Sequence, residues 1–304
     1  MQRACAHTLA GLLFPPTHPS YETPFGKQLE WIEKITVQDL ETFHAAHYGP
    51  NRMIVIAAGD VDPQLVKTAV QESFEGWEPK GVPDIQTVPL EPGHAENQLV
   101  FVPGKTNVSV FMGHAIPMNR LDPDYLPVYV ANAVLGGNFS ARLGKRVRQE
   151  QGLTYSIYSG LLGFGKNEEG GFQITMTLAP DRLREGIQST EDQVRLFTRN
   201  GITAQEVEDT KNMIVGNFKI VLATTRGMAE KIRSFEEDGL GADYLSRYPA
   251  LVNALTRKQV NQAIDRYWHP DQLNIVASGT VKERDFKAVF EGGPQAADRG
   301  QSNR

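Results

Sequence analysis

A chain of 304 residues with 40% apolar content is long enough to bury more than one hydrophobic core and suggests two domains. Its formal charge of −5, with no basic stripe or acidic run, excludes phosphate-driven nucleic-acid binding and a polybasic membrane anchor. No window approaches about eighteen uninterrupted apolar residues, so no membrane span is expected, and the single Cys5 excludes an internal disulfide.

The opening segment, MQRACAHTLAGLLF, has an apolar run at residues 8–14 that is too short for a secretory leader and runs into PPTHP instead of a small-residue cleavage site. It reads as a helix. Thr36 and Asp39 then stand at capping-box spacing and open a second helix with Leu40 and Phe43 among its apolar positions. HYGPNRMIVIAAGDVD, residues 47–62, follows as a turn, a buried strand and a glycine before the next helix.

The same phrase returns as WHPDQLNIVASGTVK at residues 268–282, behind a second capping-box pair, Thr256 and Gln259. With Pro50 placed on Pro270, an offset of 220 residues, Ile56 falls on Val276, Ala57 on Ala277, Gly59 on Gly279 and Val61 on Val281 without a gap. A period this long is far beyond that of a solenoid and indicates a duplicated domain. The second unit opens near Glu96. For units of similar length, the start of the first would project roughly 120 residues ahead of Met1. The expectation is therefore the tail of one domain followed by one complete copy.

Between the two phrases, PQLVKTAVQESFEGW (63–77) spaces Leu65, Val66, Val70, Phe74 and Trp77 on one helical face. Prolines at 79, 83, 89 and 92 mark a linker. NQLVFVP and NVSVFMGHAIP read as strands, and Asp122-Pro123 as the N-cap and first residue of a helix in which Pro127 introduces a kink or an early end. After Gly136-Gly137, ARLGKRVRQE predicts a short cationic helix with Lys145 and Arg146 on its solvated face, and TYSIYSGLL and GGFQITMTLAP predict two more strands. Helices fill the rest, one of them opened by the capping box Thr203-Ala-Gln-Glu206, until the returning strand QLNIVAS. Strands first, then helices, then one strand more predicts an α+β fold with a largely antiparallel sheet covered by helices on one face. The expected units are 1–78, the remnant of a first copy; 79–95, the linker; 96–291, the complete second copy; and 292–304, a disordered tail.

GGNFSARLGKRVRQEQGLTYSIYSG and TAQEVEDTKNMIVGNF, with the duplicated phrase, resemble the pitrilysin/insulinase family of zinc metallopeptidases, which includes the mitochondrial processing peptidases and the core subunits of the respiratory bc1 complex. The resemblance runs in order from about residue 6 to 290 and implies two homologous α+β domains facing each other around a chamber for an unfolded peptide. It also implies a His-x-x-Glu-His helix, in which two imidazoles one turn apart bind zinc and the glutamate activates its water. That motif is absent from this chain, so no cofactor is expected on it and zinc is expected in a partner or a further domain. His44 and His47 could share a helix face, but their counterparts in the repeat are Ile264 and Tyr267, which favours packing over metal binding. His18 and His269, each before a proline, read as turn residues. PGKT at 103–106 lacks the glycine a phosphate loop requires.

The resemblance assigns substrate contacts to Arg148 and Tyr155, which stand four before and three after Gly152 at the spacing of the Arg and Tyr that the family's non-zinc half directs at substrate. A guanidinium and a phenol suit peptide carbonyls. The chain is thus expected to be the substrate-binding half of a metalloendopeptidase, inactive alone, working on unfolded peptides with a homologous zinc-bearing subunit in a hetero- or homo-oligomer, in the cytoplasm or periplasm. A structural subunit like the bc1 core proteins and an inactive gene fragment are the alternatives.

Overall fold

The computed structural model describes residues 1–81, 86–91 and 93–291. In chain order it contains α1 (Gln2–Leu13), α2 (Phe25–Ile32), α3 (Val37–His47), α4 (Pro63–Ser73), β1 (Asn97–Phe101), β2 (Val108–Ile116) and α5 (Tyr125–Leu135). A π-helical turn, Gly144–Glu150, precedes β3 (Thr154–Leu162) and β4 (Gly170–Leu178). Then come α6 (Leu183–Asn200), α7 (Ala204–Leu222), α8 (Thr225–Glu237), α9 (Tyr244–Ala254), α10 (Arg257–Tyr267), β5 (Asn274–Gly279) and α11 (Glu283–Phe290). The expected tail, and residues 82–85 and 92 of the expected linker, lie outside the described residues.

The five strands form one sheet in the order β1-β5-β2-β4-β3, antiparallel except for the β1·β5 pair. Val110 and Met112 of β2, Ile275 and Ala277 of β5, and Phe172, Ile174 and Met176 of β4 point to one side, where they share a core with α5, α6, α7 and α10. Side chains alternate along a strand, so Phe111 and Val276 point to the other side. There α1 covers them with Cys5, Leu9 and Leu13. The sheet is therefore covered on both faces, not one, because its second face is also apolar and needs burial. Leu90, from the stretch between α4 and β1, joins this smaller core, and its N–H donates to Glu169 Oε2 at 2.6 Å.

Cys5 reports on that layer. Its side chain is 0% exposed, its Sγ donates to Ser109 O at 3.2 Å, and burial pushes the thiol up to about 12 against the opposing pull of the N-terminal charge. We expect native protein to react with an aromatic disulfide reagent about a thousandfold more slowly than denatured protein, since the thiolate is the nucleophile. Rapid stoichiometric labelling in native buffer would mean that α1 is not docked.

The two repeated phrases share local structure. Helices α3 and α10 start 220 residues apart, both behind complete capping boxes, and each is followed by a short 3-10 turn at Pro50 or Pro270. The surroundings differ. Val260 and Ala263 of α10 are buried, whereas the matching Leu40 and Phe43 of α3 are 58% and 56% exposed. The strand expected at 53–58 is extended chain without a ladder. Its counterpart β5 is held between β1 and β2, and no described strand flanks residues 53–58 in that way.

One helix start is also displaced. α5 begins at Tyr125, with Asp124 in the N-cap position, while the Asp122 carboxylate accepts from Asp124 N at 2.8 Å in the turn before it. Pro127 thus falls in the first turn, where an absent N–H costs no hydrogen bond, and the helix runs on to Leu135.

Candidate functional site

The stretch 136–158 builds one surface. Gly136 ends α5 against β3: its carbonyl accepts from Ser159 N at 2.9 Å, and a β-carbon there would lie 2.6 Å from Ser159 Oγ. This close approach fixes the loop that carries Phe139. Arg142 then anchors the chain to the far helices through Glu206, with Nε and Nη2 donating to its two carboxylate oxygens at 2.7 and 2.8 Å, and Nη2 also donating to Gly201 O. Burial would raise the Glu206 carboxyl, but the bonds from Arg142 and Thr203 and the Arg142 charge together bring it down to about 2. It stays ionised as both the Arg142 partner and the N3 member of the α7 capping box.

Anchored in this way, the π-helical turn buries Val147 in the main core and turns Arg148 outward. Glu150, which could have neutralised Arg148, is taken by Arg146 at 2.8 Å. Arg148 lies over the Phe139 ring, 3.4 Å from its centroid, and its Nη2 donates to Phe139 O at 3.1 Å. Among the described residues no carboxylate pairs with it. Gly152 has φ +62°, the left-handed conformation that suits glycine, and reverses the chain into β3.

β3 is an edge strand and starts with a bulge. Thr154 pairs with Leu178 and Ser156 with Thr177, which leaves Tyr155 out of the register, 92% exposed. A bulge re-aims the side chain it releases. Tyr155 and Arg148 come together along a groove of about 400 Å³ whose other walls include Phe139, Thr154 and Tyr158. Phe139, Tyr158 and the bulge are the parts that sequence alone leaves out, because each depends on a partner far along the chain.

This groove offers a cation and two phenols to a carbonyl-rich ligand. It does not fit zinc: none of its lining residues is His, Cys, Asp or Glu, and an unpaired guanidinium repels a cation. Among the described residues no cluster of three or more metal-ligating side chains occurs. His44 and His47 sit exposed on α3, stacked at 4.9 Å on Tyr48 and packed at 4.5 Å on Phe43. His18 and His269 do lie at turns. No helix among the described residues is long and apolar enough to cross a membrane.

A profile of the peptidase M16 inactive domain matches residues 34–214. An uncharacterized zinc protease of Mycobacterium tuberculosis is 29% identical over 275 residues, 88% of this chain and 58% of the relative. A non-peptidase homolog of Helicobacter pylori is 21% identical over 84% of this chain and 58% of its own length. The chain thus spans little more than half the length of these relatives. Among solved structures, a peptidase M16 inactive domain from Pseudomonas fluorescens superposes with a TM-score of 0.80 at 22% identity, over 92% of this chain and 65% of that one. A chain of complex III2 from Candida albicans superposes with a TM-score of 0.75 at 14% identity, over 95% and 70%. At these identities the structural likeness speaks for the fold.

Proposed function

The chain belongs to the peptidase M16 inactive-domain family, and on that premise we propose that it is the substrate-holding half of a metalloendopeptidase, gripping an unfolded peptide for a zinc-bearing homologous partner and cutting nothing alone. One observation carries this reading: an Arg without a carboxylate partner and a Tyr pushed out by a bulge flank the same groove beside a free sheet edge. An extended peptide can add its backbone to such an edge, with side-chain pockets setting the register. Arg148 then donates to a peptide carbonyl and Tyr155 to its neighbour. With no residue able to generate a nucleophile in the groove, these two groups orient a substrate and do not hydrolyse it.

The test is fluorescence anisotropy of a labelled unfolded peptide titrated with the chain. Arg148→Ala is expected to weaken binding about tenfold or more, as for loss of one hydrogen bond from a charged donor, and Tyr155→Ala by about fivefold, the latter without a change in melting temperature. Equal binding by wild type and both variants would overturn the assignment.

A second reading, a structural subunit, draws support from the exposed apolar side chains of α2 and α3, Phe25, Leu29, Ile32, Leu40 and Phe43, a face suited to assembly. In that case a reconstituted complex keeps full proteolysis when Arg148 and Tyr155 are both replaced.

A further inference from the structure

Back to back with the groove, on the other side of the 136–139 loop, lies a second concavity. It is bounded by α5, α7, α8 and α9 and by Phe164, and has a volume of about 470 Å³, a size typical of small-molecule sites. Gly137 and Asn138 line it, while the next residue, Phe139, lines the groove.

Its walls are aromatic. Tyr125 and Tyr129 stack at 6.4 Å, Phe164 stands edge-on to Tyr125 at 5.3 Å, and Phe218 packs on Tyr248 at 4.7 Å. Its charges are few and placed. Arg120, nine-tenths buried, lies over the Tyr125 ring at 3.9 Å and reaches Asp238 at 3.3 Å. Lys231 also lines the cavity, and among the described residues no carboxylate pairs with it. Two cations against one carboxylate leave one positive charge on the lining.

The polar groups here are donors in excess. Tyr125, Tyr129 and Tyr248 make no hydrogen bond to another described residue, and Tyr248 is only 8% exposed. Asn132 is 5% exposed and spends its Oδ1 on the Ser159 hydroxyl, so its amide N–H groups have no protein acceptor among the described residues. Burial raises all three phenols; for Tyr248, nearby Tyr129 adds to the rise while Arg120 opposes it. At neutral pH they are protonated and donate. None of these groups is sealed from solvent, so they face the open cavity and are available to donate to a ligand.

We propose that this cavity is a binding site for a planar, largely apolar monocarboxylate, its ring among the aromatic walls and its carboxylate accepting from Lys231 and the phenols. One negative charge balances the lining, and a carboxylate supplies the acceptors that the donors lack. The site is independent of the peptide groove and of what the groove holds.

Isothermal titration of the full chain with indole-3-acetate tests this, with tryptamine as the same ring bearing a cation and 3-methylindole as the ring without a head group. The acid is expected to bind saturably at one site and tryptamine about tenfold more weakly or worse. Lys231→Gln, at a partly buried position without an ion pair among the described residues, is expected to weaken the acid about fivefold and leave 3-methylindole unchanged. Tyr248→Phe, which keeps the ring, is expected to weaken the acid about threefold or more. Absence of saturable acid binding, acid and amine binding alike, or wild-type affinity in both variants would each overturn the proposal and leave a water-filled cavity.

Discussion

Lowering the pH from 7 to 4 is expected to remove roughly 3 kcal/mol of folding stability through His114 alone. This residue is buried on β2, and desolvation pulls its imidazole from the ordinary 6.5 down to about 4, with the His269 charge adding to the fall and the bond to Ala115 O opposing it. Between those two values the unfolded chain binds the proton and the folded chain does not. The contribution is therefore whole above about 6.5, shrinks as the pH drops through the window, and levels off below about 4. The geometry agrees with a neutral ring: Nδ1 donates to Ala115 O, and Nε2 accepts from His269 N at 3.4 Å. Urea midpoints at several pH values for wild type and His114→Gln would measure the effect. His18, also lowered by burial, acts in the same direction in both proteins and cancels in the comparison. Parallel pH curves for the two proteins would refute the assignment.

The two copies of the repeated phrase are expected to differ in amide hydrogen exchange by about three orders of magnitude or more. β5 lies inside the sheet, bonded to β1 on one side and β2 on the other, so its amides exchange only when the domain opens. Residues 54–58, the matching positions of the first phrase, donate no backbone hydrogen bond among the described residues and are expected to exchange at close to unstructured rates. Exchange mass spectrometry resolving peptides 50–60 and 270–280 would show it. Protection at 54–58 matching that of β5 at every protein concentration would contradict the described structure. Protection that appears only at high concentration would reveal self-association through this segment. Protection that appears only with a zinc-bearing homologue would support the proposed assembly, in which the partner supplies the flanking strands.

Residues 53–58 show where sequence is informative and where it is not. The β-branched run in MIVIAAG was enough to predict a strand, but a strand exists only with neighbours, and neighbours are a property of the whole sheet. Capping boxes depend on four consecutive residues, so Thr36, Thr203 and Thr256 are all found where their spacing put them. In LDPDY the sequence pointed to Asp122 as the cap, but its carboxylate serves the turn before the helix, and Asp124 stands at the N-cap position with its carboxylate accepting from Arg266 and Tyr267 instead. The placement of Arg148 and Tyr155 on one groove follows the spacing around Gly152. The bulge that frees Tyr155 depends on the register of β4, and the ring beneath Arg148 depends on the approach of Gly136 to β3. Neither leaves a mark in the local sequence. The Arg142 to Glu206 anchor spans 64 residues and is equally silent there.

The strand order has a consequence for synthesis. Asn274 of β5 donates to Gly113 of β2 across 161 residues of chain, and Cys5 of α1 reaches Val276 across 271. At ribosomal rates of about 5–20 residues per second, β2 emerges roughly 8–30 s before the strand that must lie beside it. Until then β1 and β2 are separated by the space that β5 will fill, and α1 has only part of the surface it will cover. A nascent chain of this protein keeps its central sheet open until β5 has been made, and any truncation before residue 274 removes the middle of the sheet, not its edge.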